Sequence, residues 1–234
     1  MALSLVARSI GLSKPSLFKR TLIFAGSFDP FALHHESILQ KLLGLKELLI
    51  KEDPTVPIDV IVWPVGPYKE KTQITTPMDR WAMLKLGLEE YPSVKLNTHD
   101  LENDFLGYSS TFDMQRALAF EPKTALTESY HSPLYMPGVL NEIWHVIGAD
   151  NVDHIRDWEM GPNLWKFARW IIVPREGFTP AKLPSHSHLL DPIPGSCTNI
   201  RTDIASGNPW EHAVKPQVAE YIKHYGLYGY RRVA

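Results

Sequence analysis

The stretch TLIFAGSFDPFALHH occupies residues 21–35 and joins an apolar run, a glycine turn and the beginning of a helical pattern. The run TLIFA (21–25) ends at Gly26, which predicts a buried strand. Over residues 34–50, leucine and isoleucine side chains recur at helical spacing, which predicts a helix directly after the turn. A strand that leads into a helix in this way is the first half of a βαβ unit, and it favours a parallel sheet.

Further predicted strands and helices alternate along the rest of the chain. Apolar runs predict strands at 58–64, 93–97, 142–150 and 169–177. Helical patterns cover 77–91, 110–120, 198–206 and 215–225. We therefore predict an α/β fold with a Rossmann-like, doubly wound parallel sheet, helices on both faces and a small C-terminal helical part. Residues 21–234 would form this single domain, and residues 121–141, which contain three prolines, are predicted to be a loop insertion.

The predicted helix at 77–91 begins with Pro77, a residue favoured in the first turn of helices. Its apolar stripe comprises Met78, Trp81, Leu84 and Leu88, and we expect these side chains to face the core. Trp144, in the strand predicted at 142–150, is also expected in the core.

Charge and cysteine content exclude several classes of protein. The chain has 24 Lys and Arg residues against 26 Asp and Glu residues, so it lacks the basic excess that binding to nucleic acid requires. Cys197 is the only cysteine, which excludes an intrachain disulfide and a thiolate metal cluster. No apolar stretch approaches the roughly 20 residues that a membrane-spanning helix needs.

The first 20 residues, MALSLVARSIGLSKPSLFKR, contain four basic residues, four serines and no acidic residue. This composition is typical of an organelle transit peptide, although a plain N-terminal extension would look the same. The sequence thus leaves two locations open: the cytoplasm, or a mitochondrion or other organelle reached through residues 1–20.

Two predicted helix starts carry groups suited to anions. Gly26 lets the backbone approach a ligand, and His35 lies near the start of the following helix, where it could hydrogen-bond a phosphate or, if protonated, pair with it. In GSCTNIR (195–201), Ser196 or Thr198 can cap the helix and Arg201 adds a forked donor. Taken alone, the first could be an ordinary turn and the second a capped surface helix.

Taken together in order, four motifs resemble those of the nicotinamide/nicotinate mononucleotide adenylyltransferase family. They are GSFDPxxxxH (26–35), IGADN (147–151), VPREG (173–177) and SCTNIR (196–201), and the ending VKPQVAEYIKHYGLY is similar to the last helix of that family. The resemblance covers about residues 21–228. It implies transfer of the adenylyl group of ATP to a pyridine mononucleotide, which gives NAD or its deamido precursor and releases pyrophosphate.

The resemblance also implies roles for individual residues. His35 would stabilise the α-phosphate, and Arg201 would hold the β- and γ-phosphates with Ser196 and Thr198 donating beside it. The remaining residues implied to contact ATP lie at strand ends: Gly26, Ser27, Phe28, Gly148 and Asp150. The residues implied to bind the pyridine mononucleotide are the phosphate-binding candidates Lys69 and Lys71, and Tyr108, Thr111, Trp158 and Trp165 around the pyridine ring.

Two positions depart from the family pattern. Ala32 replaces a histidine or threonine, and Cys197 replaces the second serine of I-S-S-T. His34 is adjacent to His35, and its position on the helix is expected to direct it elsewhere. The departures leave open a non-catalytic nucleotide-binding homologue, and a nucleotidyltransferase with another phosphate acceptor is a further alternative.

Partners follow from the same resemblance. Mg²⁺ is expected to arrive on the ATP phosphates, because no cluster of carboxylates or histidines at ligand spacing is apparent near the motifs, and no metal site on the chain itself is predicted. Many members of the family self-associate, so a homo-oligomer is an open expectation. The sequence does not choose between the amidated and the acid mononucleotide.

Overall fold

The computed structural model describes residues 18–65, 75–97, 110–119 and 140–231. Among these residues, six strands form a single sheet. They are β1 (Phe18–Gly26), β2 (Ile58–Pro64), β3 (Lys95–Leu96), β4 (Leu140–Gly148), β5 (Arg169–Val173) and β6 (Ser187–Leu189). The α-helices are α1 (Leu33–Glu52), α2 (Pro77–Leu88), α3 (Thr111–Ala119), α4 (Gly161–Phe167), α5 (Cys197–Ser206) and α6 (Pro216–Tyr225). Short 3₁₀ segments follow β4, α5 and α6, at Ala149–Asp157, Glu211–Ala213 and Leu227–Gly229.

All neighbouring strands of the sheet are parallel, and their order is β3-β2-β1-β4-β5-β6. This is the doubly wound order of Rossmann-like folds, in which the chain starts at the centre and winds outward in both directions. The predicted fold class is therefore confirmed.

The two faces of the sheet are covered by different helices. Even-numbered residues of β1, such as Leu22 and Phe24, pack with the buried residues of α1 and α2. The odd-numbered Ile23 instead packs with Met114 and Leu118 of α3. Helices α5 and α6 form a further cluster against α2, which is the small C-terminal helical part. Alternation of side chains along each strand thus buries both faces, as continuous apolar strands predict.

Most predicted elements are observed within a few residues of their expected bounds, and five short ones were missed. These are β6, α4 and the 3₁₀ segments Ala149–Asp157, Glu211–Ala213 and Leu227–Gly229. Leu140 and Asn141, assigned to the predicted insertion at 121–141, belong to β4. The rest of that insertion lies outside the described residues. In the described part of the chain, no helix has the length and apolar character required to cross a membrane.

The apolar stripe predicted for α2 was wrong at its first positions. Met78 is 66% exposed, and Trp81 is only half-buried, with the Lys85 ammonium 4.6 Å from its ring centroid. The buried residues of α2 are instead Arg80, Met83, Leu84, Gly87 and Leu88, and the helix lies close to the loop after β1. A Cβ atom on Gly87 would lie 2.1 Å from the Phe31 ring, so the glycine permits this approach. Trp144 is likewise half-buried beside the main core rather than enclosed in it.

A buried histidine makes the stability of the fold depend on pH. His145 on β4 is buried, and its Nε2 forms a hydrogen bond with Oε1 of Gln115 on α3. Burial lowers the pKa of His145 from 6.5 to about 3. Between these two pH values the unfolded chain binds a proton that the folded chain does not, so folding stability falls as the pH falls.

We expect His145 to contribute up to about 1.4 kcal/mol of lost stability per pH unit over this window. Urea denaturation between about pH 6 and pH 4 measures the slope, and His145→Asn should flatten it. The exposed His188 supplies the matched control, His188→Asn, which should retain the wild-type slope. Equal slopes for wild type and His145→Asn would show that His145 does not titrate in this way.

Candidate active site

A crevice opens in the middle of the sheet where β1 and β4 separate. Their pairing ends at Ile23 and His145, three residues before the last residues of these strands, Gly26 and Gly148. Over the same final residues, β1 remains paired with β2 and β4 remains paired with β5. Such a switch point at the carboxyl ends of parallel strands is where Rossmann-like folds bind ligands. Gly26, Ser27, Gly148 and Asp150 therefore lie at this crevice, as their sequence positions predict.

The loop after β1 is held by contacts from distant parts of the chain. Phe28 adopts a left-handed conformation with φ of 50°, which costs a non-glycine residue roughly 1–2 kcal/mol. The buried Asp29 carboxylate accepts hydrogen bonds at Oδ1 from the Thr75 hydroxyl at 2.5 Å and the Tyr228 hydroxyl at 2.6 Å. Arg80 donates to the main-chain oxygen of Ser27 at 3.0 Å. These bonds fix the loop in a conformation that its own backbone disfavours.

Tyr228→Phe tests this anchoring, because it removes one hydroxyl and leaves the ring. We expect the free energy of unfolding to fall by about 1–3 kcal/mol, the usual cost of a lost partner for a buried charged acceptor. Because the resemblance implies phosphate-binding groups on and beside this loop, we also expect kcat to fall with little change in KM. Chemical denaturation and steady-state kinetics measure the two effects.

Tyr221→Phe is the matched control for this substitution. The Tyr221 hydroxyl also donates to an aspartate, Asp79 Oδ1, at 3.0 Å, but on the outer part of α2. It should leave kcat at the wild-type value. A Tyr228→Phe protein with unchanged kcat would mean that the Asp29 contact stabilises the fold without positioning the loop.

His35 is held in one tautomer at the start of α1. Its Nδ1 accepts a hydrogen bond from the Ala32 main-chain N–H at 3.1 Å, so the ring proton of the neutral side chain resides on Nε2. Burial, His34 and Arg175 lower the pKa of His35 well below 6.5. His35 therefore offers a neutral N–H donor at pH 7 rather than a positive charge, which decides between the two phosphate contacts that the sequence left open.

The second helix start meets the first one across the loop. Ser196 caps α5, because its hydroxyl accepts a hydrogen bond from the Asn199 N–H at 3.4 Å. Arg201 donates from Nη1 to the Asp29 main-chain oxygen at 2.7 Å and from Nη2 to the Thr198 hydroxyl at 3.3 Å. The unpaired N–H groups and positive ends of α1 and α5 thus face the same region, where they favour a multiply charged anion.

Arg175 is a candidate functional residue that lies in the strand-end segment 174–177 but had no individual role predicted from the sequence. Its Nε lies 3.3 Å from Oδ1 of Asp150, and a Cβ atom on Gly148 would approach both groups, at 3.2 Å and 2.3 Å. Glycine at 148 therefore allows Arg175 and Asp150 to meet at the end of β4. The signal was present in VPREG, because Arg175 follows β5 at the same edge of the sheet.

His34 was predicted to point away from the site, and this prediction was wrong. Its ring centroid lies 4.1 Å from that of His35, and its Nε2 lies 3.7 Å from Cys197 Sγ. Gly195 makes the arrangement possible, because a Cβ atom there would lie 2.5 Å from the His34 Cβ. Burial raises the pKa of the Cys197 thiol to about 12, and the thiol donates to the Pro30 main-chain oxygen at 3.4 Å.

The candidates for the pyridine ring lie on the other side of β4. Thr111 begins α3, and the adjacent Ser110 hydroxyl lies 3.1 Å from the Glu159 carboxylate, next to Trp158. Trp158 and Trp165 are half-buried against one apolar cluster. The Arg156 guanidinium lies 4.3 Å from the Trp165 ring centroid, so a stacked ligand ring must use the opposite face or displace Arg156.

The structure therefore brings the sequence candidates together as two groups. The first, around His35 and Arg201, is linked by direct contacts through Phe28 and Asp29. The second comprises Thr111, Trp158 and Trp165. The candidates Lys69, Lys71 and Tyr108 lie outside the described residues, and the ligand contacts of all these residues stay predictions.

Solved structures of other proteins share this architecture. The chain is similar to a Plasmodium falciparum nicotinic acid mononucleotide adenylyltransferase complexed with NaAD, with a TM-score of 0.64 and 20% identity over 91% of this chain and 98% of the other. The same protein complexed with APC gives a TM-score of 0.60 at 19% identity, with the same coverage. The chain has the Rossmann-like nucleotidyltransferase fold.

Sequence comparison finds curated relatives that align with most of this chain. The nicotinate-nucleotide adenylyltransferase of Bacillus subtilis is 27% identical over 219 residues, which cover 90% of this chain and 98% of the relative. No protein-family model matches the chain. Together with the four ordered motifs, these comparisons show that the chain is similar over most of its length to curated nicotinate-nucleotide adenylyltransferases.

Proposed function

We propose that the protein is an enzyme that transfers the adenylyl group of ATP to nicotinamide or nicotinate mononucleotide, forming NAD or deamido-NAD and pyrophosphate. The observation that carries this proposal is the convergence of His35, Arg201 and the starts of α1 and α5 on one side of the sheet crevice. All of them offer N–H donors, and a triphosphate is the ligand that requires several such donors together.

The triphosphate would lie across the two helix starts. His35 Nε2–H would donate to the α-phosphate, and the Arg201 guanidinium would hold the β- and γ-phosphates. The Asp29 main-chain oxygen and the Thr198 hydroxyl orient this guanidinium. Gly148 and Asp150 at the end of β4 would contact the ribose, and Arg175 would add positive charge beside them.

In the reaction, a phosphate oxygen of the mononucleotide attacks the α-phosphorus of ATP. The bond from the α-phosphorus to the bridging oxygen breaks, and pyrophosphate leaves with the bond electrons. No proton needs to be abstracted, because the attacking phosphate is already an anion. The contribution of the chain is to align the two phosphates and to stabilise negative charge on the α-phosphate and the leaving group.

The two carboxylates described near the crevice, Asp29 and Asp150, already have protein partners, which fits a magnesium ion held mainly by the ATP phosphates. The Asp29 carboxylate is engaged by Thr75 and Tyr228, and Asp150 faces Arg175. Mg²⁺ prefers oxygen ligands and commonly takes them from substrate phosphates with few from the protein. We therefore propose Mg-ATP as the substrate, with the chain binding the phosphates rather than enclosing the ion.

The pyridine ring would bind on the far side of β4, against Trp158 or Trp165. Stacking of an aromatic ring on a tryptophan contributes roughly 1–3 kcal/mol, by analogy with nucleobases. Thr111 at the start of α3 lies on the same side of the sheet as these rings, since Phe112 packs against the same cluster.

The test is pyrophosphate release from Mg-ATP with each mononucleotide in turn, with chromatographic detection of NAD or deamido-NAD. Release with at least one pyridine mononucleotide supports the proposal, and the ratio of kcat/KM values gives the preference between amide and acid. Phosphopantetheine and reactions without an acceptor serve as controls. Release with phosphopantetheine alone, or with no acceptor at all, would overturn the proposal. Loss of release in excess chelator is the expected result for a Mg-ATP substrate.

A further inference from the structure

Cys197, one of the two departures from the family pattern, lies beside two histidines at the start of α1. Cys197 stands in place of a serine, and its Sγ lies 3.7 Å from Nε2 of His34 and 3.9 Å from Nε2 of His35. The three potential ligand atoms all lie within 4.8 Å of one another. Two imidazoles and one thiol converging in this way form a set of nitrogen and sulfur ligands.

We propose that His34, His35 and Cys197 bind a zinc ion, and that the bound ion blocks the catalytic donor of His35. Zinc binds sulfur at about 2.3 Å and imidazole nitrogen at about 2.0–2.1 Å, so tetrahedral angles put these two ligand atoms about 3.5 Å apart. The observed separations exceed this value by a few tenths of an ångström. Small side-chain movements would therefore complete a site with three protein ligands and one open position.

The neighbourhood selects for a metal that bonds strongly to thiolate. Arg175, Arg201 and the starts of α1 and α5 oppose a cation, and the Asp29 carboxylate offsets only part of this charge, so a hard ion such as Mg²⁺ gains too little from this ligand set. The same positive groups stabilise the Cys197 thiolate once the metal has displaced its proton to solvent. One proton is thus released for each zinc ion bound by this thiol.

Zinc binding and catalysis would compete for the same atom. In the metal-free protein Nε2 of His35 carries the ring proton, because Nδ1 accepts from the Ala32 N–H. Ligation requires the lone pair of Nε2, so the proton must move to Nδ1 and the bond from Ala32 is lost. The site would then hold no N–H donor at this position, which predicts inhibition of the adenylyl transfer proposed above.

A cavity reaches one of the three proposed ligands, His34. A cavity of about 390 Å³ is lined by His34, Gly195 and Ser196 and is open to solvent. Gly195 leaves room for the His34 side chain, because a Cβ atom at this position would lie 2.5 Å from the His34 Cβ.

The first experiment measures metal binding directly on the full-length, chelator-treated protein. We expect one equivalent of Zn²⁺ to bind in competition with a chromogenic chelator, and Co²⁺ in its place to show a near-ultraviolet thiolate-to-metal absorption band. His34→Gln removes one ligand. Because loss of a supporting residue around a metal site already costs 10–100-fold, loss of a direct ligand should weaken binding by at least about 100-fold. Cys197→Ser should abolish the cobalt band.

His188→Gln is the matched control, because His188 is exposed on β6 and should bind metal as the wild-type protein does. Absence of a zinc equivalent, or equal affinity in wild type and His34→Gln, would overturn the site. In the pyrophosphate assay, buffered zinc should inhibit the wild type and spare His34→Gln. Zinc that binds without inhibiting pyrophosphate release would overturn the proposal that the ion blocks the Nε2–H donor of His35. A protein that binds zinc and shows no adenylyl transfer would refute the proposed function and leave the metal site standing.

Discussion

His35→Ala is expected to lower kcat by on the order of 10²–10³, the usual cost of removing one preoriented donor from a site of developing charge. The structure gives the reason in atomic terms. Nδ1 of His35 is engaged by the Ala32 N–H, so Nε2–H is fixed as a donor and needs no reorientation during the reaction. The lowered pKa of His35 keeps this donor neutral and present throughout the physiological pH range.

A second substitution separates the catalytic role of His35 from its role as the acceptor for the Ala32 N–H. His35→Ala also removes the acceptor for the Ala32 N–H, which by analogy with other helix caps costs about 0.5–2 kcal/mol of stability. In His35→Asn the side-chain oxygen can still accept that hydrogen bond, but no donor reaches the position of Nε2. We expect both variants to be equally inactive and His35→Asn to be the more stable. A variant that retained more than about a tenth of wild-type turnover would remove His35 from the catalytic site.

The central part of the fold could be predicted because its strands and helices show as apolar patterns within short stretches of sequence. The run TLIFA followed by glycine and a helical pattern marks β1 and α1, and the observed elements, Phe18–Gly26 and Leu33–Glu52, extend it only at the ends. Buried parallel strands are apolar on both faces, so each of the four long strands was visible as a run. Strand β6 could not be predicted in this way, because three residues at the edge of the sheet carry no period.

The sequence predicted which residues lie at the site better than it predicted which of their side chains touch one another. The rule that ligands bind at strand ends points to residues 26–35, 64–71, 148–151 and 174–177, whereas the roles at the second helix start came from the family resemblance. The direction of His34 could not be obtained from the helical pattern of α1. It depends on the room that Gly195 leaves, and Gly195 is more than 150 residues away in the sequence. The hydrogen bond from Arg201 to the Asp29 main-chain oxygen likewise joins residues that are distant in the sequence, 172 positions apart. Such contacts follow from packing of the C-terminal helices on the first loop, which no local pattern encodes.

Arg201→Met is expected to reduce kcat/KM for Mg-ATP by on the order of 10². A hydrogen bond to a charged group contributes about 1.5–3 kcal/mol, and the loss of two from a guanidinium to the β- and γ-phosphates gives about 3 kcal/mol or more. The guanidinium is preoriented for this purpose by the Asp29 main-chain oxygen and the Thr198 hydroxyl. Arg201→Lys keeps the charge and loses the fork, so one ammonium cannot reach both Asp29 and the phosphates, and most of the defect should remain.

The reverse reaction distinguishes a phosphate contact from support of the loop. If Arg201 holds the β- and γ-phosphates, the KM for pyrophosphate in synthesis of ATP from the dinucleotide should rise about as much as the KM for ATP, because pyrophosphate contains the same two groups. The KM for the pyridine mononucleotide should change little. Arg231→Met replaces an exposed arginine near the end of the chain and should match the wild type in every assay. An Arg201→Met protein with an unchanged KM for pyrophosphate and lowered thermal stability would instead assign Arg201 to the loop, since loss of its bond to Asp29 would then account for the whole effect.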